Sequence, residues 1–276
     1  MKILIIVEGK QTETNFFQVM FECFNIEAEI VVVSTSIYSL YSRMKSYNFD
    51  CDVRDVVKEL IKMDASKSVL DRNFTYTYLV FDSDLQNVPI DKRGTDISMQ
   101  EILPDNFRKL NEMAAYFTDE TDPSIGRLYI NYPMMESYRY CDSFSDEKYL
   151  TETIEISKVK DFKNLASQKK LAGKQISRYT KDDFSGLIKL NAEKLRIIHN
   201  VSQSKPIRYD EYLDISNGIK ILDCQHSCVS EKQMLYVLNT SLFMVLDYYG
   251  NRDGFYDSIV NLEAKDSHNS PLIDKI

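Results

Sequence analysis

The chain of 276 residues has no tryptophan, no excess of positive charge and no apolar run of membrane-spanning length. The nearest approach to such a run, Leu242 to Tyr249, is broken by Asp247 and falls far short of the roughly 18 residues a spanning helix needs, so no membrane partner is expected. With 34 Lys+Arg against 42 Asp+Glu the formal net charge is -8, which excludes a wholly basic nucleic-acid-coating protein. The 5 cysteines (Cys23, Cys51, Cys141, Cys224, Cys228) are an odd number, and Met1 to Val7 is too short for a signal peptide before Glu8-Gly9-Lys10 intervenes. Reduced thiols and a cytoplasmic location are the expectation. No G-x-x-x-x-G-K-[ST] occurs: Gly9-Lys10-Gln11-Thr12 lacks the upstream glycine and a hydroxyl residue directly after lysine, and Ala172-Gly173-Lys174-Gln175 fails likewise. Internal repeats, low-complexity tracts and a Ser-His-Asp or Cys-His nucleophile at recognisable spacing are also lacking.

What remains is a chain with 43% hydrophobic residues, 18 Tyr and 14 Phe, enough to build a core over one large domain or two small ones. Ile3 to Val7 is a continuous aliphatic run, the pattern of a strand buried on both faces of a parallel sheet. Phe16, Phe17, Met20, Phe21 and Phe24 then recur at helical spacing, predicting a helix over Thr12 to Phe24, and Glu29 to Val33 reads as the next strand. Such a β-α-β unit implies parallel strands. A helix is predicted around Val53 to Ile61, strands over Tyr76 to Phe81 and Leu128 to Tyr132, a loop over Leu85 to Thr95, and a helix over Met99 to Phe117 that Pro104 breaks or restarts. Beyond Pro133 helices are predicted over Glu147 to Ile156, Asp183 to Ile198 and Ser230 to Tyr249, the last opened by a Ser230/Gln233 capping box, with a loose tail over the last dozen residues. The fold class is α/β, a mainly parallel sheet flanked by helices, with a mostly α-helical C-terminal half.

The strands share an ending. Glu8 follows the first, Asp82 and Asp84 follow the third, and Glu136 lies a few residues past the fourth. In an open parallel sheet these ends line one edge, where ligand sites form. Each acid alone reads as an ordinary turn or surface residue; their common position is the signal. Carboxylates gathered within a few ångström repel unless protonated or neutralised, and an all-oxygen set favours Mg²⁺ or Mn²⁺. In Asp82-Ser83-Asp84 an extended backbone would put both carboxylates on one side, while Gly9 would let a substrate phosphate approach the backbone. Metals so held promote phosphodiester hydrolysis. Glu13, at a helix start five residues after Glu8, could face the same cleft.

At these residues the chain resembles the TOPRIM nucleases, in particular the RloB-like and OLD-like branch of bacterial anti-phage systems. The motifs run in family order: Ile3-Leu4-Ile5-Ile6-Val7-Glu8-Gly9-Lys10-Gln11-Thr12-Glu13, then Leu79-Val80-Phe81-Asp82-Ser83-Asp84, then Asn131-Tyr132-Pro133-Met134-Met135-Glu136-Ser137. The resemblance covers about the first 140 residues and implies a TOPRIM (Rossmann-like) catalytic domain over 1–142, with a helical region over 143–276 packed on it. It implies metal ligands at Glu8, Asp82 and Asp84, a second metal position completed by Glu13 and Glu136, and, from the Tyr179-Thr180-Lys181 segment, a catalytic lysine at Lys181. It also implies a separately encoded ATPase as partner. A homodimer is left open.

Between Ser157 and Lys181 lie Lys158, Lys160, Lys163, Lys169, Lys170, Lys174, Arg178 and Lys181, opposed only by Asp161. A nucleic acid would be attracted here, with Lys10, Lys169, Lys170, Lys174 and Arg178 as phosphate contacts and Tyr179 stacking on a base; the alternative is a solvated helix face. Cys224-Gln225-His226-Ser227-Cys228 hints at zinc but lacks a matching pair of ligands, and Leu235, Leu238, Leu242, Val245 and Leu246 read as core before partner surface. Three functional readings follow: a metal-dependent endonuclease serving as a defence effector, an RNA-cleaving toxin directed at tRNA, and a non-catalytic binding subunit of an ATPase complex.

Overall fold

The computed structural model describes residues 2–61, 64–88, 98–202 and 205–261. Lys2–Val7 forms β1, and Ile3 to Val7 are buried on both of its faces, which is why the run carries no polar alternation. β1 pairs in parallel with β2 (Glu27–Val32) on one side and with β3 (Tyr76–Asp82) on the other. A short β4 (Thr118–Asp119) runs antiparallel to β5 (Gly126–Asn131), which is parallel to β3. The order is β2-β1-β3-β5-β4. The chain therefore leaves β1 toward one side and returns to its other side at β3, a reversal that opens a crevice at the carboxyl ends of these two strands.

Helix α1 (Thr12–Phe24) joins β1 to β2 and buries Phe16, Phe17, Met20, Phe21 and Phe24. α2 (Ile37–Ser46), α3 (Val53–Leu60) and α4 (Asp64–Leu70) lead to β3, and α5 (Met99–Tyr116) leads to β4. α5 is continuous through Pro104, contrary to the expected break. Pro104 lies on the exposed face early in the helix, so the carbonyl of Gln100 that loses its partner faces water, and the Ser98/Glu101 capping box secures the first turn.

Past β5 the chain makes a 3-10 turn at Met135–Arg139 and another at Glu147–Thr151, then β6 (Thr153–Glu155), α6 (Phe162–Ser167), α7 (Lys181–Ile198), α8 (Tyr209–Ile215), α9 (Gly218–Lys232), β7 (Met234–Tyr236), α10 (Met244–Tyr249) and α11 (Phe255–Val260). Two expected helices are corrected here. Glu147 to Ile156 splits into a 3-10 turn and β6, and Ser230 to Tyr249 is the end of α9, β7, a 3-10 turn and α10. Gln233 is no capping partner at a helix start: it adopts a left-handed conformation (φ 55°) that ends α9. β6 and β7 pair antiparallel, and it is that pairing, across some eighty residues of chain, that overrides the local helical spacing. Leu235, Leu238, Leu242, Val245 and Leu246 are all fully buried and belong to the core.

One cluster of buried residues extends from β1 through α7 to α11, crossing the 142/143 boundary. At the seam, Asp247 is 1% exposed as a side chain and is held by Arg127 Nη2 at 3.2 Å, by the Tyr129 hydroxyl at 2.6 Å and by the Tyr212 hydroxyl at 3.3 Å. No helix among the described residues is long and apolar enough to cross a membrane. Most of the loop expected over Leu85 to Thr95, and the tail, lie outside the described residues.

Candidate functional site

The crevice between β1 and β3 gathers the acids. Glu8 stands one residue past β1 and Asp82 is the last residue of β3, so the parallel register that sets Val7 beside Val80 also sets these carboxylates at one edge. Glu8 Oε2 lies 3.5 Å from the Asp82 N–H, which donates to it. Asp82 Oδ1 accepts a bond from the Met135 N–H at 2.7 Å, which docks the turn carrying Glu136 against β3. Ser83 is buried, donates through its hydroxyl to the Pro133 carbonyl at 3.0 Å and accepts through its own carbonyl from the Tyr38 hydroxyl at 2.8 Å. The extended alternation expected through Asp84 stops at Ser83, because Asp84 takes a positive φ of 39°. An aspartate tolerates this region better than most residues.

The electrostatics tie the acids together. Burial, then repulsion from Asp84 and Glu13, pushes the Glu8 carboxyl up to about 8, partly offset by the Asp82 N–H. Asp82 is held well above the usual carboxylate range by burial, then by Glu8, Asp84, Glu13 and Glu136. Asp84 and Glu13 are raised as well, chiefly by burial, and Glu136 adds to the rise at Glu13. Glu8, Asp82, Asp84, Glu13 and Glu136 thus form one interacting set contributed by β1, β3, the turn after it, α1 and the turn after β5. A Cβ on Gly9 would overlap the Glu13 carboxyl, so the space expected to admit a phosphate is taken up by Glu13.

Among the described residues, a cation that the motifs did not single out reaches the acids. Lys163, on α6, places Nζ 2.7 Å from Glu136 Oε1 and also acts on Glu13 and Asp82. Lys181 is elsewhere: it opens α7 and lies 5.7 Å above the ring of Phe24. Phe24 ends α1, about 16 Å along the helix from Glu13 at 1.5 Å per residue, so the structure does not bring Lys181 to the acids.

The basic segment presents less free charge than its sequence suggests. Lys158 pairs with Glu155 at 2.7 Å, Lys169 with Glu152 at 2.7 Å and Lys174 with Asp183 at 2.6 Å. Lys10, Lys160, Lys170 and Arg178 remain exposed. Tyr179 is 5% exposed and packed among Tyr138, Phe144 and Phe184, so the expected stacking on a base is overturned by burial. The cysteine cluster also separates: His226 lies against Phe107, Cys224 Sγ sits 3.4 Å from His199 Nδ1, and Gln225 between them is tied to the Tyr236 backbone.

The turn carrying Glu136 is braced from the C-terminal region. Asn239, fully buried, donates through Nδ2 to the Met135 carbonyl at 3.0 Å and to Ser137 Oγ at 3.2 Å. Replacing it with Ala removes both of these buried bonds, and thermal unfolding should show a loss of about 1–3 kcal/mol. An unchanged melting temperature would remove Asn239 from this role.

No family model, curated protein or solved structure matches the chain. The case for a metal therefore rests on the donors. All of them are oxygen, several are raised by one another, and their joint ionisation requires a positive partner, which fits a hard divalent cation. As the side chains stand, no group of three Asp, Glu, His or Cys among the described residues is close enough to hold one ion.

Proposed function

We propose that this chain is a divalent-metal-dependent nuclease of TOPRIM type, hydrolysing nucleic-acid phosphodiester bonds at the crevice between β1 and β3, in the role of an RloB-like or OLD-like anti-phage effector. One observation carries the reading: Glu8 and Asp82, remote in sequence, meet at the point where the sheet order reverses, with Asp84, Glu13 and Glu136 in electrostatic contact. A bound Mg²⁺ or Mn²⁺ supplies Lewis-acid polarisation of a phosphoryl oxygen and a more acidic water. Glu8, Asp82 and Asp84 would hold one ion, and Glu13 and Glu136 a second. The chain's own contributions follow from the contacts. Asp82 is oriented by the Met135 N–H, burial and the neighbouring Asp84 raise the Glu8 carboxyl of the metal-free protein, and Lys163 offsets the charge of Glu136. The exposed Lys10, Lys170 and Arg178 attract a polyanion toward an otherwise acidic surface.

Purified protein incubated with DNA, tRNA and other RNA in Mg²⁺ or Mn²⁺ should cut at least one of them. Glu8→Ala and Asp82→Ala should each reduce cutting by about 10³-fold or more, since metal-assisted charge stabilisation contributes several kcal/mol to the barrier. Equal activity in both variants, or cutting that persists in EDTA, would overturn the reading.

A further inference from the structure

We propose that the cavity at the outer edge of β5 is a binding site for an aminated purine of adenine type, read through the backbone of Leu128 and Ile130. It lies on the side of β5 away from β3 and depends on no metal. β4 is too short to cover β5. Pairing ends at Leu128, whose N–H donates to the Phe117 carbonyl at 3.2 Å, and resumes at Tyr132, which exchanges two bonds of 2.8 Å with Leu238. The N–H and C=O of one strand residue point to the same side, so the edge between these pairs carries the Leu128 C=O and both polar groups of Ile130. The Thr240 hydroxyl donates to the Ile130 C=O at 2.9 Å. The Leu128 C=O and the Ile130 N–H have no hydrogen-bond partner among the described residues, although both residues are buried. Buried main-chain groups are nearly always paired, so this acceptor and donor require a partner from outside the chain, a ligand or water.

Both residues line a cavity of about 210 Å³. Arg127 and Tyr129 reach it from one face of β5, Leu128 and Ile130 from the other, so it continues the plane of the sheet past its edge. Phe117, Ile221, Leu213 and Phe243 wall it. The free stretch offers one acceptor and one donor, closed at each end by an existing pair. That leaves no length for a further peptide strand and suits a small planar molecule with a donor beside an acceptor. A cavity of about 150 Å³ holds one benzene ring, so the larger space here admits a two-ring heterocycle. Among the described residues of the lining the one cation, Arg127, is already held by Asp247 at 3.2 Å, which favours an uncharged ring over a phosphate or carboxylate. The exocyclic amino group of adenine would donate to the Leu128 C=O while the adjacent ring nitrogen accepts from the Ile130 N–H, with apolar side chains against the ring. Leu213, 40% exposed, and the exposed Thr118 mark the mouth through which a sugar would reach solvent.

Adenosine added to the metal-free protein tests this by NMR of the backbone amides. It should move the Ile130 amide proton downfield and slow its exchange with solvent. Inosine, which carries a carbonyl in place of the amino group and an N–H in place of the ring acceptor, should leave Ile130 unchanged. Leu213→Ala, at the exposed mouth, should weaken adenosine binding by roughly fivefold through loss of an apolar contact, with the rest of the amide spectrum retained. An Ile130 amide unmoved by adenosine would mean that the gap holds water alone and would overturn the proposal. Equal shifts with inosine, or an unchanged affinity in Leu213→Ala, would overturn it as well. None of these results bears on the acids, whose role is read by cutting and by Mn²⁺ uptake.

Discussion

Glu8→Gln is expected to make the metal-free protein more stable at pH 8 while abolishing the proposed metal-dependent cleavage. The Glu8 carboxyl moves from an ordinary 4.5 up to about 8 in the fold, so the folded state favours the protonated form. A raised carboxyl of this kind binds more protons folded than unfolded. Its contribution is fully present below about pH 4.5 and is lost progressively as pH rises to about 8. At about 1.36 kcal/mol per pKa unit the ionised group destabilises the fold at pH 8 by up to roughly 4 kcal/mol. Glutamine keeps the oxygen that accepts the Asp82 N–H and removes the charge, so the melting temperature should rise by roughly 5 °C at pH 8. At pH 4, below the ordinary carboxyl value, the two proteins should melt together. Scanning calorimetry at both pH values reads the difference. A variant that is less stable than wild type at pH 8 would mean that the charge at Glu8 is compensated inside the protein. Added Mg²⁺ should stabilise wild type at pH 8 and do little for the variant.

Asp247→Ala should cause the largest loss of stability, on the order of 3–5 kcal/mol and roughly 5–9 °C in melting temperature. The side chain is 1% exposed and accepts bonds from Arg127, Tyr129 and Tyr212, so it joins β5 to α8 and α10. Truncation leaves the Arg127 guanidinium facing an apolar seam, with Glu120 at 3.8 Å as its remaining acid. Asp247→Asn, which keeps a side-chain acceptor for one tyrosine, should lose less. Urea unfolding of the pair measures this, and equal, small losses would show that the seam does not depend on the charge. Below the melting transition neither change should alter Mn²⁺ uptake, because the seam lies away from the acids.

The strand-end acids were legible in the sequence because the signal is local: an aliphatic run, then Glu8; a second run, then Asp82. Parallel pairing followed from the helix between β1 and β2, and Thr12–Phe24 is the helix the phenylalanine spacing predicts. What the sequence hid depends on contacts between distant segments. Leu235, Leu238 and Leu242 have helical spacing, yet the chain at β7 is extended because β6 pairs with it and Leu238 bridges to Tyr132. Lys163 and Lys181 are equivalent as members of a basic run, and only the packing of α6 beside Glu136, and of Lys181 beside Phe24, tells them apart. Tyr179 reads as a stacking platform until the rings around it are seen to bury it. Asp247 looks like a break in an apolar helix, and its partner Arg127 is more than a hundred residues away.

Whether the β1/β3 crevice holds a metal ion is addressed most directly by anomalous diffraction from crystals soaked in Mn²⁺. A peak bounded by the carboxylates of Glu8, Asp82 and Asp84 is expected, with a second near Glu13 and Glu136. Density showing these carboxylates free of any ion at saturating Mn²⁺ would contradict the metal-dependent reading.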